Sequence, residues 1–174
     1  FDMNYKKFTQ QIIKAATHLQ SEMMISDFLP IKFEYGVGYA SNSLTLQFEN
    51  DKSILFNGFI DRIEVCNIDD EKYIRVIDYK SHKKNLDPVY INNGINMQML
   101  LYLFALTEKG MEFSDYKPAG VLYSPLTINP LKIDNKRFDT LNTSHINSSL
   151  KLSGILINDY NVLNAMENGT AGKY

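Results

Sequence analysis

Apolar side chains recur at spacings of three and four along the first 27 residues: Tyr5, Phe8, Ile12, Ala15, Ala16, Leu19 and Met23. That spacing gathers them into one stripe on a helix, and Pro30 ends it, because the residue before a proline is pushed out of helical geometry. The period then changes to two. Ile31, Phe33 and Tyr35 share one face of a predicted strand, with Lys32, Glu34 and Gly36 on the other; after a Gly/Ser/Asn-rich turn over 36–43, Leu44 to Glu49 alternates likewise. Ile54 to Cys66 reads as one strand, with Phe56 and Gly58 in phase with Ile60. The polar stretch 67–72 reads as a turn, and Tyr73 to Lys80 as the second strand of an antiparallel hairpin.

Beyond a polar loop at 81–88, residues 91–109 return to helical spacing through Ile95, Met99, Tyr102, Leu103 and Leu106, and Gly110 supplies a stop signal. Residues 119–124 read as a short buried strand before Pro125. The stretch 129–149 is mostly polar and loop-like, and 159–167 can form a short helix. Tyr5, Phe8, Phe28, Phe33, Phe48, Phe56 and Phe104 repeat with their elements and are assigned to the core. Helix, antiparallel strands, helix, strand is the order of an α/β sandwich on a mixed sheet, with no repeat and no boundary inside 1–174.

Composition narrows the function classes. With 44% hydrophobic and 22% charged residues, the 174-residue chain is globular rather than fibrous or low-complexity. Its 18 Lys and Arg against 20 Asp and Glu leave a net charge of -2, so no bulk positive field holds a polyanion and a nucleic-acid role needs a local site. Cys66 stands alone, which excludes an internal disulfide and a four-cysteine metal site within the chain. No apolar run approaches the roughly 20 residues of a spanning helix, the start is not a signal peptide, and no membrane role is expected. The missing initiator Met and abrupt ends suggest a piece of something longer.

Asp78 and Lys80, two apart on a strand, share a face with Val76, whereas Ile77 and Tyr79 point the other way. Asp61 offers a second carboxylate from the neighbouring strand, and the 16 residues between the two aspartates suffice to close the hairpin that brings them together. Adjacent carboxylates repel, and a divalent cation is the usual way to keep both charged. Hard oxygen ligands from Asp61, Asp78 and the backbone carbonyl of Tyr79 suit Mg²⁺ or Mn²⁺, and Lys80 can stabilise charge on a phosphate undergoing hydrolysis. Gly58 lets a phosphate backbone or partner strand approach closely. An exposed Asp–Lys ion pair is the plain alternative. Gln98 and Tyr102, at i and i+4 on the following helix, share a face that can reach the same sheet; a solvated Gln beside a core Tyr is the alternative there.

Glu34 is a further candidate at the rim, as metal ligand or as a solvated edge-strand residue. The stretch 72–87 holds five basic residues, Lys72, Arg75, Lys80, Lys83 and Lys84, against Asp78 and Asp87. It forms a local basic patch in which Lys83 and Lys84 can guide DNA. His145 reads as loop.

The segments Gly58-Phe59-Ile60-Asp61-Arg62-Ile63-Glu64-Val65, Val76-Ile77-Asp78-Tyr79-Lys80-Ser81 and Gln98-Met99-Leu100-Leu101-Tyr102 together resemble PD-(D/E)XK nucleases of the RecB type. Within that family they look most like the C-terminal nuclease domain of the B subunit of AddAB-type ATP-dependent helicase-nucleases. Pro30 to Glu34, Ala119 to Tyr123, Pro130 and Gly154-Ile155-Leu156 extend the likeness over most of the chain. The resemblance implies a restriction-endonuclease-like core, a central mixed β-sheet flanked by helices. It also implies a Mg²⁺-dependent (or Mn²⁺-dependent) DNA exonuclease acting on single-stranded DNA in double-strand-break repair and recombination, in the bacterial cytoplasm.

By the same analogy Asp61 and Asp78 are the metal aspartates, Lys80 the signature lysine, Gln98 and Tyr102 the following Gln-x-x-x-Tyr motif, and Arg62 the arginine beside the first aspartate, placed on DNA. The partners implied are DNA and the helicase-nuclease A subunit, with the isolated domain monomeric. His18 lacks the Gly-x-x-x-His setting of the family histidine, which is expected upstream of Phe1; His18 reads as a half-buried helix residue. B subunits of this family often carry an iron-sulfur cluster; the resemblance leaves open whether the full-length protein has one, and it puts none in this chain, where Cys66 reads as a small packed residue. No nucleotide-binding glycine pattern is present, so the motor lies elsewhere. The alternative is a catalytically inactive DNA-guiding or subunit-docking module of the same complex.

Overall fold

The computed structural model describes residues 2–38, 44–47, 52–128 and 143–168. The predicted turn at 39–43, Phe48 and the polar stretch 129–142 lie outside the described residues, as does the side chain of Phe56. Helix α1 (Asp2–Met24) is followed by β1 (Leu29–Val37), β2 (Leu44–Gln47), β3 (Ser53–Phe56), β4 (Gly58–Ile68) and β5 (Glu71–Lys80). Then come α2 (Pro88–Asn92), α3 (Gln98–Thr107), β6 (Lys117–Pro125), α4 (Thr143–Leu150), β7 (Ser153–Leu156) and α5 (Tyr160–Met166). Five strands form one sheet in the order β1-β4-β5-β6-β7; only β5 and β6 run parallel, so the sheet is mixed. The β4–β5 hairpin sits at its centre, as the alternation predicts. Its turn uses Asp69 and Asp70 at φ 49° and 66°, the doubly left-handed conformation that a two-residue hairpin connection demands.

Three elements depart from the pattern. The strand expected from Ile54 to Cys66 breaks at Asn57, and its first part pairs with β2 in a separate two-stranded sheet. The helix expected over 91–109 is two helices, because Gly94 (φ 76°) and Asn96 (φ 61°) adopt left-handed geometry that no α-helix contains. Residues 143–150, expected as loop, form α4, whereas 159–167 closes into α5 with Asp159 capping the amides of Asn161 and Val162.

The main core lies between the sheet and α3: Ile63, Ile74, Val76, Val121 and Tyr123 meet Met99, Tyr102, Leu103 and Leu106. Residues across the other side of the sheet meet α5 and the segment between α1 and β1, where Phe28, Cys66, Ala119, Val162, Ala165 and Met166 pack together. Burial pushes the Cys66 thiol above its ordinary pKa, which suits a packed residue and not a thiolate. Several aromatics assigned to the core are in fact outside it. Tyr5 is 71%, Phe8 61%, Phe33 59% and Phe104 57% exposed, so the α1 stripe forms with its first half uncovered. Periodicity fixes which residues share a face but not whether another element covers it.

His18 contacts α4, bonding to Asn147 and the backbone of Leu150, and burial holds its imidazole below the ordinary value of 6.5. The unfolded chain therefore binds that proton more readily than the folded one. Stability attributable to His18 is unaffected above pH 6.5 and declines as pH falls below it. Urea midpoints measured at about pH 7.5 and about pH 5.5 should fall in the parent and fall less in His18→Gln. Equal drops in both proteins would discharge His18 from this role.

Candidate active site

Alternation along β4 fails at Asp61. Ile60 and Ile63, three residues apart, both join the α3-side core, although a regular strand would send them to opposite faces. Across from them, the register of β1 passes from Phe33↔Arg62 to Tyr35↔Ile60, which sets Glu34 beside Asp61. Glu34 has φ 48°, a left-handed backbone that costs a non-glycine residue energy and re-aims its neighbours. Ile31, Phe33 and Tyr35 therefore do not share a face. Tyr35 packs on Phe113 with its hydroxyl donating to Glu112 at 2.9 Å, while Phe33 faces solvent. Burial together with Glu112 pushes the Tyr35 phenol up to about 12.

The β4–β5 ladder is paired up to Arg62↔Ile77. One step further, the Asp61 side chain takes over from the backbone: its Oδ2 accepts the Tyr79 amide at 2.6 Å. A strand residue sends its N–H and C=O toward the same neighbour, so the Tyr79 carbonyl lies on the Asp61 side as well. Asp78 continues the face of Ile74 and Val76, and its Oδ2 forms an ion pair with the Lys80 ammonium. Among the described residues, Oδ1 of each aspartate stays outside these bonds. The parallel pairing places Asp78 beside Tyr123, and both Lys80 and Lys84 lie over the Tyr123 ring, at 5.6 and 4.9 Å from its centroid.

Gln98 and Tyr102 meet each other before they meet anything else. The Gln98 amide donates to the Tyr102 hydroxyl at 2.8 Å, and that hydroxyl reaches the Asn57 carbonyl at 3.4 Å. Gly58 serves this contact rather than a phosphate, because a Cβ there would collide with the Tyr102 hydroxyl. The pair thus secures the point where β3 breaks into β4, three residues before Asp61.

Arg62 does not face DNA. It is fully buried on the opposite side of the sheet, where Nε meets Glu64 at 3.0 Å, Nη2 meets Glu22 of α1 at 3.4 Å, and Nη1 donates to the Tyr79 hydroxyl at 3.0 Å. Arg75 closes a ring with the same two acids, at 2.5 Å to Glu64 and 3.3 Å to Glu22, and stacks over Phe28. Burial, with Glu64 adding to it, raises the Glu22 pKa against the pull of both arginines, and burial likewise raises the Tyr79 phenol. The expected basic patch shrinks accordingly: Arg75 is inside this ring, Lys72 pairs with Asp115 at 2.6 Å, and Lys80 with Asp78. Lys83 is exposed and Lys84 half-buried on Tyr123. The ring of charges and Tyr123 were missed by sequence reasoning. The signal for the charges was present, at alternate positions of otherwise apolar strands.

Among the described residues no three His, Cys, Asp or Glu cluster to form a metal cage. Two carboxylates and a carbonyl nevertheless suit Mg²⁺, which binds through one or two carboxylates, keeps several waters and takes the rest from substrate phosphate. No described helix is long and apolar enough to cross a membrane.

The chain is similar to known proteins. The B subunit of an ATP-dependent helicase/deoxyribonuclease from Clostridium perfringens (strain SM101 / Type A) is 34% identical over 166 residues, 93% of this chain. The proteins of that name from Thermoanaerobacter sp. (strain X514) and Listeria welshimeri are 30% and 31% identical over 95% and 88% of it. The chain spans only 14% to 15% of the length of these relatives. The family model of the PD-(D/E)XK nuclease superfamily matches residues 4–163, nearly the whole chain, a span that includes both aspartates, the lysine and the sheet that carries them. The chain belongs to the PD-(D/E)XK nuclease superfamily.

Proposed function

We propose that this chain is a divalent-metal-dependent DNA nuclease domain, hydrolysing phosphodiester bonds of single-stranded DNA within a helicase-nuclease that serves double-strand-break repair. One observation carries the reading: the Asp61 carboxylate is fixed on the Tyr79 amide beside the Asp78–Lys80 pair. Asp61, Asp78 and the Tyr79 carbonyl would hold Mg²⁺, with Glu34 next to Asp61 as a further oxygen donor. When bound, the ion supplies charge neutralisation at the phosphate and a more acidic water.

The chain's own groups do the rest. Asp78 holds the Lys80 ammonium on the site's side of the sheet, where it can stabilise negative charge growing on the phosphate as water adds to phosphorus and the ester oxygen leaves. Gln98 and Tyr102 fix the start of β4 and so the reach of Asp61. Lys83 and Lys84 guide the strand through its phosphates. The relatives' names make a partner subunit and DNA natural companions of the whole protein, and an A subunit of a cytoplasmic complex fits them. End-labelled single-stranded DNA incubated with the protein across a Mg²⁺ and Mn²⁺ titration tests the proposal; absence of metal-dependent product from the full natural protein would defeat it.

Salt dependence tests the guiding role. Lys83→Ser with Lys84→Ser should weaken DNA binding at low salt and lower the slope of log affinity against log salt by about 1 to 2, because fewer counterions are released. A slope equal to the parent's would return both lysines to the solvated surface. A second reading, a docking module without catalysis, is favoured by the uncovered stripe of Tyr5, Phe8 and Ile12 on α1. Metal-dependent cleavage by the protein decides between the two.

A further inference from the structure

We propose that Tyr123 is a positioning residue that holds Lys80 and Lys84 at the cleavage site through the face of its ring. The proposal rests on the nuclease reading above. Three observations converge on it. Tyr123 stands beside Asp78 in the parallel β5–β6 pairing. Its side chain is only 3% exposed and packs in the α3-side core, so the ring is itself immobile. The ammonium groups of Lys80 and Lys84, one on the strand and one four residues beyond it, both lie over that one ring.

Lysine is a compact charge on a flexible four-carbon stem, and an ion pair with Asp78 fixes it on one side only. A ring face beneath it attracts the ammonium through the negative quadrupole and restricts the stem. It also offsets the mutual repulsion of two ammonium groups drawn to the same place. Two cations held together beside the aspartates match successive phosphates of a single strand, which carries a charge at every nucleotide. Lys84 thereby meets the guided strand at the site itself. Both ammonium groups lie over the ring, so the role is assigned to the ring.

The experiment measures kcat and KM for metal-dependent cleavage of single-stranded DNA by the full natural protein. Tyr123→Phe keeps the ring and should stay within about twofold of the parent in both constants. Tyr123→Leu should lose about tenfold in kcat with a smaller rise in KM, and Tyr123→Met serves as a ring-free substitute of larger volume if the leucine variant is unstable. In a background carrying both Lys80→Met and Lys84→Met the ring-free substitution should lower kcat no further, since both groups it positions are gone. Equal proportional losses in both backgrounds would mark Tyr123 as structural only. A phenylalanine variant as poor as the ring-free ones, or ring-free variants as fast as the parent, would also overturn the proposal. A parent that shows no metal-dependent cleavage defeats the nuclease reading itself, an outcome distinct from these.

Discussion

Asp78→Asn should lower the rate of DNA cleavage by about 10²-fold or more while leaving the chain folded. Asparagine keeps the shape of the side chain and its neutral amide removes the hard anion that a divalent cation requires. It also releases Lys80, whose ammonium is paired with Asp78. The folding cost is small: Lys80 is 36% exposed, and a pair that partly faces water contributes about 1 kcal/mol or less. Lys80→Met should be comparably slow yet still bind metal, because the aspartates and the Tyr79 carbonyl are untouched. Cleavage rates and Mn²⁺ binding measured on the parent and the two variants separate these roles. Parental rates from Asp78→Asn would remove the assignment of the metal site, and parental rates from Lys80→Met would remove the lysine from the chemistry.

The largest effect on stability should come from the side of the sheet that faces away from the site. Glu64 is fully buried between Arg62 and Arg75, and replacing it by Ala leaves two buried guanidinium groups with Glu22 as their one shared acid. Uncompensated buried charge is expensive, and Glu64→Ala should cost about 3 to 5 kcal/mol. Glu112 offers the comparison within the same fold. It lies 2.8 Å from Lys32, with both side chains 41% exposed, and Glu112→Ala should cost less than about 1 kcal/mol because water screens the pair. Urea unfolding of the two variants tests the contrast, and similar losses from both would show that the ring does not carry the stability assigned to it. Because Arg62 also donates to the Tyr79 hydroxyl, and the Tyr79 amide holds Asp61, the ring braces the candidate site from behind.

The central hairpin, helices α1 and α5, and the placing of Asp61 on one strand with Asp78 and Lys80 on the next were legible in the residue order. Each depends on a period or a loop length, quantities that a linear chain carries by itself. Val76, Asp78 and Lys80 must share a face in any strand, and 16 intervening residues close a hairpin wherever it sits. Composition likewise excluded a disulfide framework. The break of the second helix was half legible: Asn93-Gly94 was there to be read, but the apolar spacing through Ile95 and Met99 concealed it.

Other features were decided between residues far apart in the chain. Arg62 looks outward by its motif and is drawn inward by Glu22, 40 positions earlier, and by Tyr79, 17 later. No local rule weighs that against a phosphate. The left-handed backbone of Glu34 and the lost alternation at Asp61 face each other across the β1–β4 pairing, and there the Asp61 carboxylate accepts the Tyr79 amide of β5. The Tyr123 ring gains its two lysines because β6 returns parallel to β5, bringing residues 43 and 39 positions apart into contact. The sequence by itself determined α1, the central hairpin, α5 and the identities of the chemical groups, since propensity and period act over a few neighbouring residues. Tertiary structure decided which faces are covered, which charges are buried and how each side chain is aimed, since burial and electrostatic partnership depend on distances that only the folded chain defines.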